Sequence, residues 1–126
     1  MRYTPPFITS LKEDEVFVFG SNEAGKHGAG AARMAVQFGA VYGQAEGIAG
    51  QTYAIPTKDA TIRKTLSVGE IRPYVDRFIA YAKETPDKTF LVTEIGCGLA
   101  GLTPAQVGPL FSEAKEISNI VLPESF

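Results

Sequence analysis

The sequence predicts an α/β fold built around a mostly parallel sheet. Three observations point there. Short apolar runs of strand-forming residues alternate along the chain with segments whose apolar residues recur at helical spacing. The strand runs lack the in–out alternation of a half-solvated sheet, so they read as buried on both faces. The glycines also cluster. Of 13 in 126 residues, eight lie between Gly20 and Gly50 and three between Gly96 and Gly101, and each cluster follows a strand and precedes a helix.

The elements follow in order. Phe7-Ile8-Thr9 reads as a short edge strand, kept at the edge by Pro5 and Pro6. Val16-Phe17-Val18-Phe19 reads as a buried strand between the charged turn Lys12-Glu13-Asp14-Glu15 and Gly20. Gly30 to Gly39 reads as a helix, with Ala31, Ala32, Met34, Ala35 and Phe38 at helical spacing and Gly39 as its stop. A loop with Gly43, Gly47 and Gly50 leads to a strand, Thr52-Tyr53-Ala54-Ile55, ended by Pro56. Residues 57–67 are polar and read as a connection. Ser67-Val68-Gly69-Glu70 has the spacing of a capping box. It opens a helix whose apolar stripe is Ile71, Tyr74, Val75, Phe78, Ile79 and Ala82. Thr85-Pro86-Asp87-Lys88 ends that helix, and Thr89-Phe90-Leu91-Val92-Thr93 is a third buried strand. Thr103-Pro104 opens a further helix, with Val107, Leu110, Phe111 and Ala114 facing the core. Asn119-Ile120-Val121-Leu122 is a final short strand.

Composition sets the outer bounds. Apolar residues make up 44% and charged residues 21%, so the chain is neither disordered nor of low complexity. Residues 1–126 read as one domain, without repeat or linker. The single cysteine, Cys97, excludes an intramolecular disulfide and fits a reducing, cytoplasmic setting. One histidine, His27, leaves no set for a multi-histidine metal site, and neither metal nor cofactor is expected. The net charge of −2 and the absence of a basic stripe argue against bulk nucleic-acid binding. The N-terminal residues do not form a signal peptide, and no apolar run reaches the roughly 20 residues that span a bilayer, so no membrane partner is expected.

The first glycine loop runs from Gly20 to Gly30 and the second from Gly96 to Leu102. In α/β sheets ligands sit beyond the carboxyl ends of strands. Glycines there let backbone N–H groups approach a ligand, and helix N-termini favour negative charge. Two such loops suit a ligand with more than one phosphate. Gly20 to Lys26 also fits G-x-x-x-x-G-K, the start of a P-loop, but the next residue is His27 rather than the Ser or Thr that holds Mg²⁺.

Phe17-Val18-Phe19-Gly20-Ser21-Asn22, then Gly28-Ala29-Gly30-Ala31-Ala32, then Gly39-Ala40, resembles the macro domain signature. Ile95-Gly96-Cys97-Gly98-Leu99-Ala100-Gly101-Leu102 resembles that family's second, phosphate-binding loop, in the branch that removes ADP-ribose from acidic side chains. The resemblance spans roughly residues 8–122 and is to small bacterial and phage-associated macro-like proteins. It implies a three-layer α/β/α sandwich with a mostly parallel mixed sheet. It also implies binding of ADP-ribose or a related NAD-derived nucleotide, free or on an ADP-ribosylated macromolecule. Asn22 would then bond the distal ribose, and Gly28, Ala29 and Gly30 would offer backbone to that ribose and the diphosphate. Gly96, Cys97, Gly98, Leu99, Ala100 and Gly101 would wrap the phosphates. Lys58 matches a lysine that attacks the ribose in that branch, which would make the chain an ADP-ribosyl hydrolase.

Two positions depart from the pattern. The Asp that follows I-G-C-G-L in that branch is Ala100, leaving Glu94 or Glu23 as substitute proton-transfer groups. The Asp that reads adenine is Phe7, which could stack on a base instead. His27, inside the first loop, is a further candidate acid or base. Three readings therefore stand side by side: an ADP-ribose-binding module, with or without hydrolysis through Lys58, Glu94 and His27; a P-loop-like nucleotide phosphohydrolase using Lys26; and a ligand-free interaction module.

Overall fold

The computed structural model describes residues 2–126. Five strands form one sheet: β1 (Glu15–Asn22), β2 (Gly47–Ala49), β3 (Thr52–Lys58), β4 (Thr89–Val92) and β5 (Ile120–Val121). Their spatial order is β2-β3-β1-β4-β5. β3, β1, β4 and β5 are mutually parallel, and only β2 runs antiparallel to its neighbour. The helices are α1 (Gly30–Gln37), α2 (Val68–Lys83) and α3 (Pro104–Val107), the last continued by two single 3-10 turns, Gly108–Phe111 and Glu113–Glu116.

β1 is the middle strand, which explains its unbroken apolar run. Successive side chains of a strand point to opposite faces. Val16 and Val18 join a cluster with α2 residues Ile71, Val75, Phe78 and Ile79, while Phe17 and Phe19 join another with Ala32 and Ala35 of α1. Both sets of β1 side chains are buried. The small alanines of α1 let that short helix lie close to the phenylalanine rings, and Gly39, at φ 112°, follows its C-cap Phe38. No helix among the described residues is long and apolar enough to cross a membrane.

The capping box at Ser67 is present in both directions: Ser67 Oγ accepts from the Glu70 N–H at 3.1 Å, and the Glu70 carboxylate accepts from the Ser67 N–H at 2.9 Å. Thr103 and Gln106 form the same device at α3. The apolar stripe of α2 is buried as spaced, with Tyr74 at its half-buried margin.

Four expectations need correction. Residues 7–9 form no strand, and Phe7 is 87% exposed. What ties the N-terminal segment down is Thr4, whose N–H and Oγ1 donate to Leu122 O and Val121 O, both at 2.9 Å. Pro5 and Pro6 then remove two N–H groups that pairing would use. Pro56 does not end β3, which continues to Lys58. β2 covers β3 only at Thr52–Ala54, so the proline's missing N–H falls where there is no neighbour to serve. β2 falls in a segment whose sequence predicts a loop; three residues beside glycines carry no strand pattern of their own. Finally, α3 stops after four residues, because Gly108-Pro109 interrupts the i→i−4 ladder and the chain tightens into 3-10 turns. Val107, Leu110, Phe111 and Ala114 are nevertheless all buried.

Candidate functional site

The carboxyl ends of β1, β3 and β4 feed three loops that meet. The first glycine loop is clipped by Asn22, which is 7% exposed. Its Nδ2 donates to Lys26 O at 2.7 Å and its Oδ1 accepts from Lys26 N at 2.9 Å, so both ends of the amide are spent on the loop's own backbone. Gly25, at φ 71°, lies so close to the 43–44 turn that a Cβ on it would come within 2.4 Å of the Gly43 carbonyl carbon. The helix begins at Gly30, several residues beyond Lys26, so Gly20–Lys26 does not itself open a helix as a P-loop does.

His27 is 5% exposed and turned toward the 40–44 turn. Its Nε2 lies 3.0 Å from Val41 O and 3.2 Å from Gln44 O. Carbonyl oxygens only accept, so Nε2 carries the hydrogen. Nδ1 is buried and has no partner among the described residues. The ring meets Phe19 edge-on, with centroids 5.3 Å apart. This places the histidine in packing rather than on the open rim.

Gly28, Ala29 and Gly30 are exposed and lead into α1, whose N-cap, Ala29, offers no side-chain acceptor. The first N–H groups of that helix are therefore free of any cap. The second glycine loop lies beside it. Leu99, 71% exposed, places Cδ1 3.5 Å from where a Cβ on Gly30 would project. Gly98 and Gly101, like Gly28, have nothing within 4 Å of an added Cβ and so face open space. Gly96, at φ 76°, packs instead against Leu102, Val107 and Thr57. Leu102 N donates to Gly96 O at 2.8 Å and closes the loop.

The third loop is the polar segment that the sequence predicts only as a connection. Lys58 stands opposite Asn22 at the end of the β1–β3 ladder, and its carbonyl accepts from Glu23 N at 2.9 Å. Lys58 bridges Thr65, Asp59 N donates to Lys64 O at 2.9 Å, and the turn between carries Ile62 at φ 67°. Thr65 Oγ1 then donates to Ala100 O at 2.6 Å, pinning this hairpin to the second glycine loop. Nothing in the local pattern of Thr65 or Ala100 could have revealed that contact.

The acidic candidates are occupied. Glu94 is exposed and accepts a hydrogen bond from Ser125 Oγ at 2.6 Å, near the C-terminus of the chain. Glu23 accepts one from Tyr74 on α2 at 2.5 Å. That bond, ahead of burial, pushes the Tyr74 hydroxyl up to about 12. Burial, then the nearby Glu94 carboxylate, pushes the Cys97 thiol up, which leaves it a poor nucleophile. A cavity of about 400 Å³ lies elsewhere, beneath the N-terminal segment between Tyr3, Phe7 and Glu15 and the floor of Leu91 and Val121. It shares no residue with the glycine loops.

The arrangement brings together Asn22, Gly28–Gly30, Lys58 and the 96–101 loop, and turns His27 and Glu94 to other partners. Chemically it offers backbone donors, an uncapped helix start and nearby cations, which suits an anion better than it suits proton transfer. No protein-family model matches the chain, and no curated protein or solved structure is significantly similar to it.

Proposed function

We propose that the chain is a macro-like domain, a three-layer α/β/α sandwich, that binds ADP-ribose or a related NAD-derived nucleotide at the carboxyl edge of its sheet. The observation that carries this reading is the meeting of the two glycine loops at Gly30 and Leu99, beside an uncapped helix start. Three further glycines there, Gly28, Gly98 and Gly101, leave open space where side chains would otherwise stand. A diphosphate needs close backbone donors, and this edge presents them.

The reading is of a binding module before an enzyme. Lys58 stands at the edge, but Ala100 supplies no proton-transfer group, and the carboxylates of Glu23 and Glu94 each hold another partner. Calorimetric titration with ADP-ribose tests the proposal. Gly98→Val, at a position without positive φ and with nothing in its way, should keep the thermal stability and weaken ADP-ribose binding by at least about tenfold, or about 1.4 kcal/mol. No heat and no thermal shift at about 1 mM ligand overturns the reading. Release of ADP-ribose from a modified carboxylate, lost in Lys58→Ala, would raise the module to a hydrolase. Mg²⁺-dependent phosphate release from a nucleotide would favour the Lys26 reading instead.

A further inference from the structure

Resting on the nucleotide reading above, we propose that the Lys58–Thr65 hairpin is a cation clamp that recognises the ligand's phosphates through Arg63 and Lys64 together with Lys58. The argument begins with how charge is distributed at this edge. Three carboxylates lie there, and each is held by a hydroxyl: Glu23 by Tyr74 at 2.5 Å, Glu94 by Ser125 at 2.6 Å and Asp59 by Thr61 at 2.6 Å. The cations are not held. The side chains of Lys26, Lys58, Arg63 and Lys64 have no hydrogen-bond or ion-pair partner among the described residues. The two ion pairs among the described residues, Arg77 with Glu46 and Lys83 with Glu113, draw their cations from α2 and take none of these four. A hydroxyl satisfies a carboxylate without cancelling its charge, so four carboxylates, Glu70 included, still balance these four cations; what this edge leaves open is hydrogen-bond donors, because its acceptors are engaged and its cationic donors are not.

The hairpin's position gives those unengaged donors a use. One end is anchored to the first glycine loop, where Glu23 N meets Lys58 O, and the other to the second, where Thr65 Oγ1 meets Ala100 O. Between these anchors Asp59 accepts from both the N–H and the hydroxyl of Thr61, and Ile62 N closes the turn on Asp59 O at 3.1 Å. Arg63 and Lys64 are therefore carried on a short, internally bonded turn next to both loops, exposed to solvent. The Glu70 carboxylate, which caps α2, feels the charge of Lys64 without forming an ion pair with it. Backbone amides read the shape of a diphosphate; a guanidinium and an ammonium read its charge. The clamp therefore makes the ligand a nucleotide carrying at least two phosphate charges and discriminates against the uncharged nucleoside.

The test is a calorimetric salt series, from 50 to 300 mM NaCl, with ADP-ribose, inorganic pyrophosphate and adenosine as probes. The proteins are the wild type, the pair Arg63→Gln with Lys64→Gln, and Lys115→Gln as a charge control on the remote 3-10 turn. The wild type should lose about tenfold in ADP-ribose affinity across the series, because exposed charges are screened within ~10 Å at 0.1 M salt. The double variant should start about tenfold weaker and show a flattened salt dependence, while Lys115→Gln behaves as wild type. ADP-ribose bound equally by the double variant and the control overturns the clamp and leaves the nucleotide reading standing. Pyrophosphate bound by wild type and lost in the double variant, with no response to ADP-ribose, keeps the clamp and overturns the nucleotide reading. No binding of either anion overturns both. Should the double variant fail to fold, a wild-type affinity that does not change with salt overturns the clamp by itself.

Discussion

Two glycines of the first loop look interchangeable in the sequence and differ sharply in the structure. Gly25 has φ 71° and sits against the backbone of Gly43 and Gln44. Gly28 has no positive φ and nothing near it. Gly25→Ala should therefore cost at least about 2 kcal/mol, combining the left-handed penalty with a backbone collision. Gly28→Ala should stay within about 0.5 kcal/mol. Urea unfolding of the two variants checks the contrast, and equal losses would mean that the loop is not packed as described. His27 makes the same point about side chains. A loop histidine beside a lysine suggests an exposed acid–base group, but the ring packs edge-on against Phe19 and bonds the 40–44 turn. Its burial depends on where residues 40–44 return, which no local pattern encodes.

At the scale of elements, capping and stripe arguments carry the most weight. α2 starts where its capping box starts and buries the side chains its spacing selects. Ser67→Ala should lower stability by about 1 kcal/mol, measured by chemical denaturation at neutral pH. The Glu70 carboxyl is held below its ordinary value, first by the Ser67 backbone N–H and then by its hydroxyl. A depressed carboxyl stabilises the fold above its unfolded value and loses that contribution as pH falls through its folded one. The difference between wild type and Ser67→Ala should accordingly shrink in acid. α3 shows the limit of the same reasoning: its cap and buried positions hold, yet Gly108-Pro109 changes the helix type beneath them.

At the scale of the whole molecule, the two apolar clusters on either side of the sheet set the stability, and Tyr53 reports on the larger one. Burial, then the Glu46 carboxylate, pushes its hydroxyl from 10.0 up to about 12. A raised folded value gives a contribution that is complete below the unfolded value and is lost as pH rises through the folded one. Stability should thus fall between about pH 10 and pH 12, and Tyr53→Phe should flatten that fall in alkaline unfolding followed by circular dichroism. An unchanged slope would place the alkaline sensitivity in other groups.

By itself the sequence determined the strands β1, β3, β4 and β5, the start of each helix, the α2 and α3 core positions, and the edge of the sheet where the glycine loops gather. These follow from local chemistry: apolar periodicity, capping side chains, and glycine after a buried strand. Only the tertiary structure decided that Asn22 clips its own loop, that His27 is packed away, and that Glu94 meets Ser125. It also decided that the 58–65 segment bridges the two glycine loops and that Gly47–Ala49 pairs as a strand. The longest-range of these depend on partners distant in sequence: Ala100 is 35 residues from Thr65, and Glu94 is 31 from Ser125. Local residue patterns fix what a segment can form, whereas the partner that satisfies each exposed donor and acceptor is chosen only when the chain closes on itself.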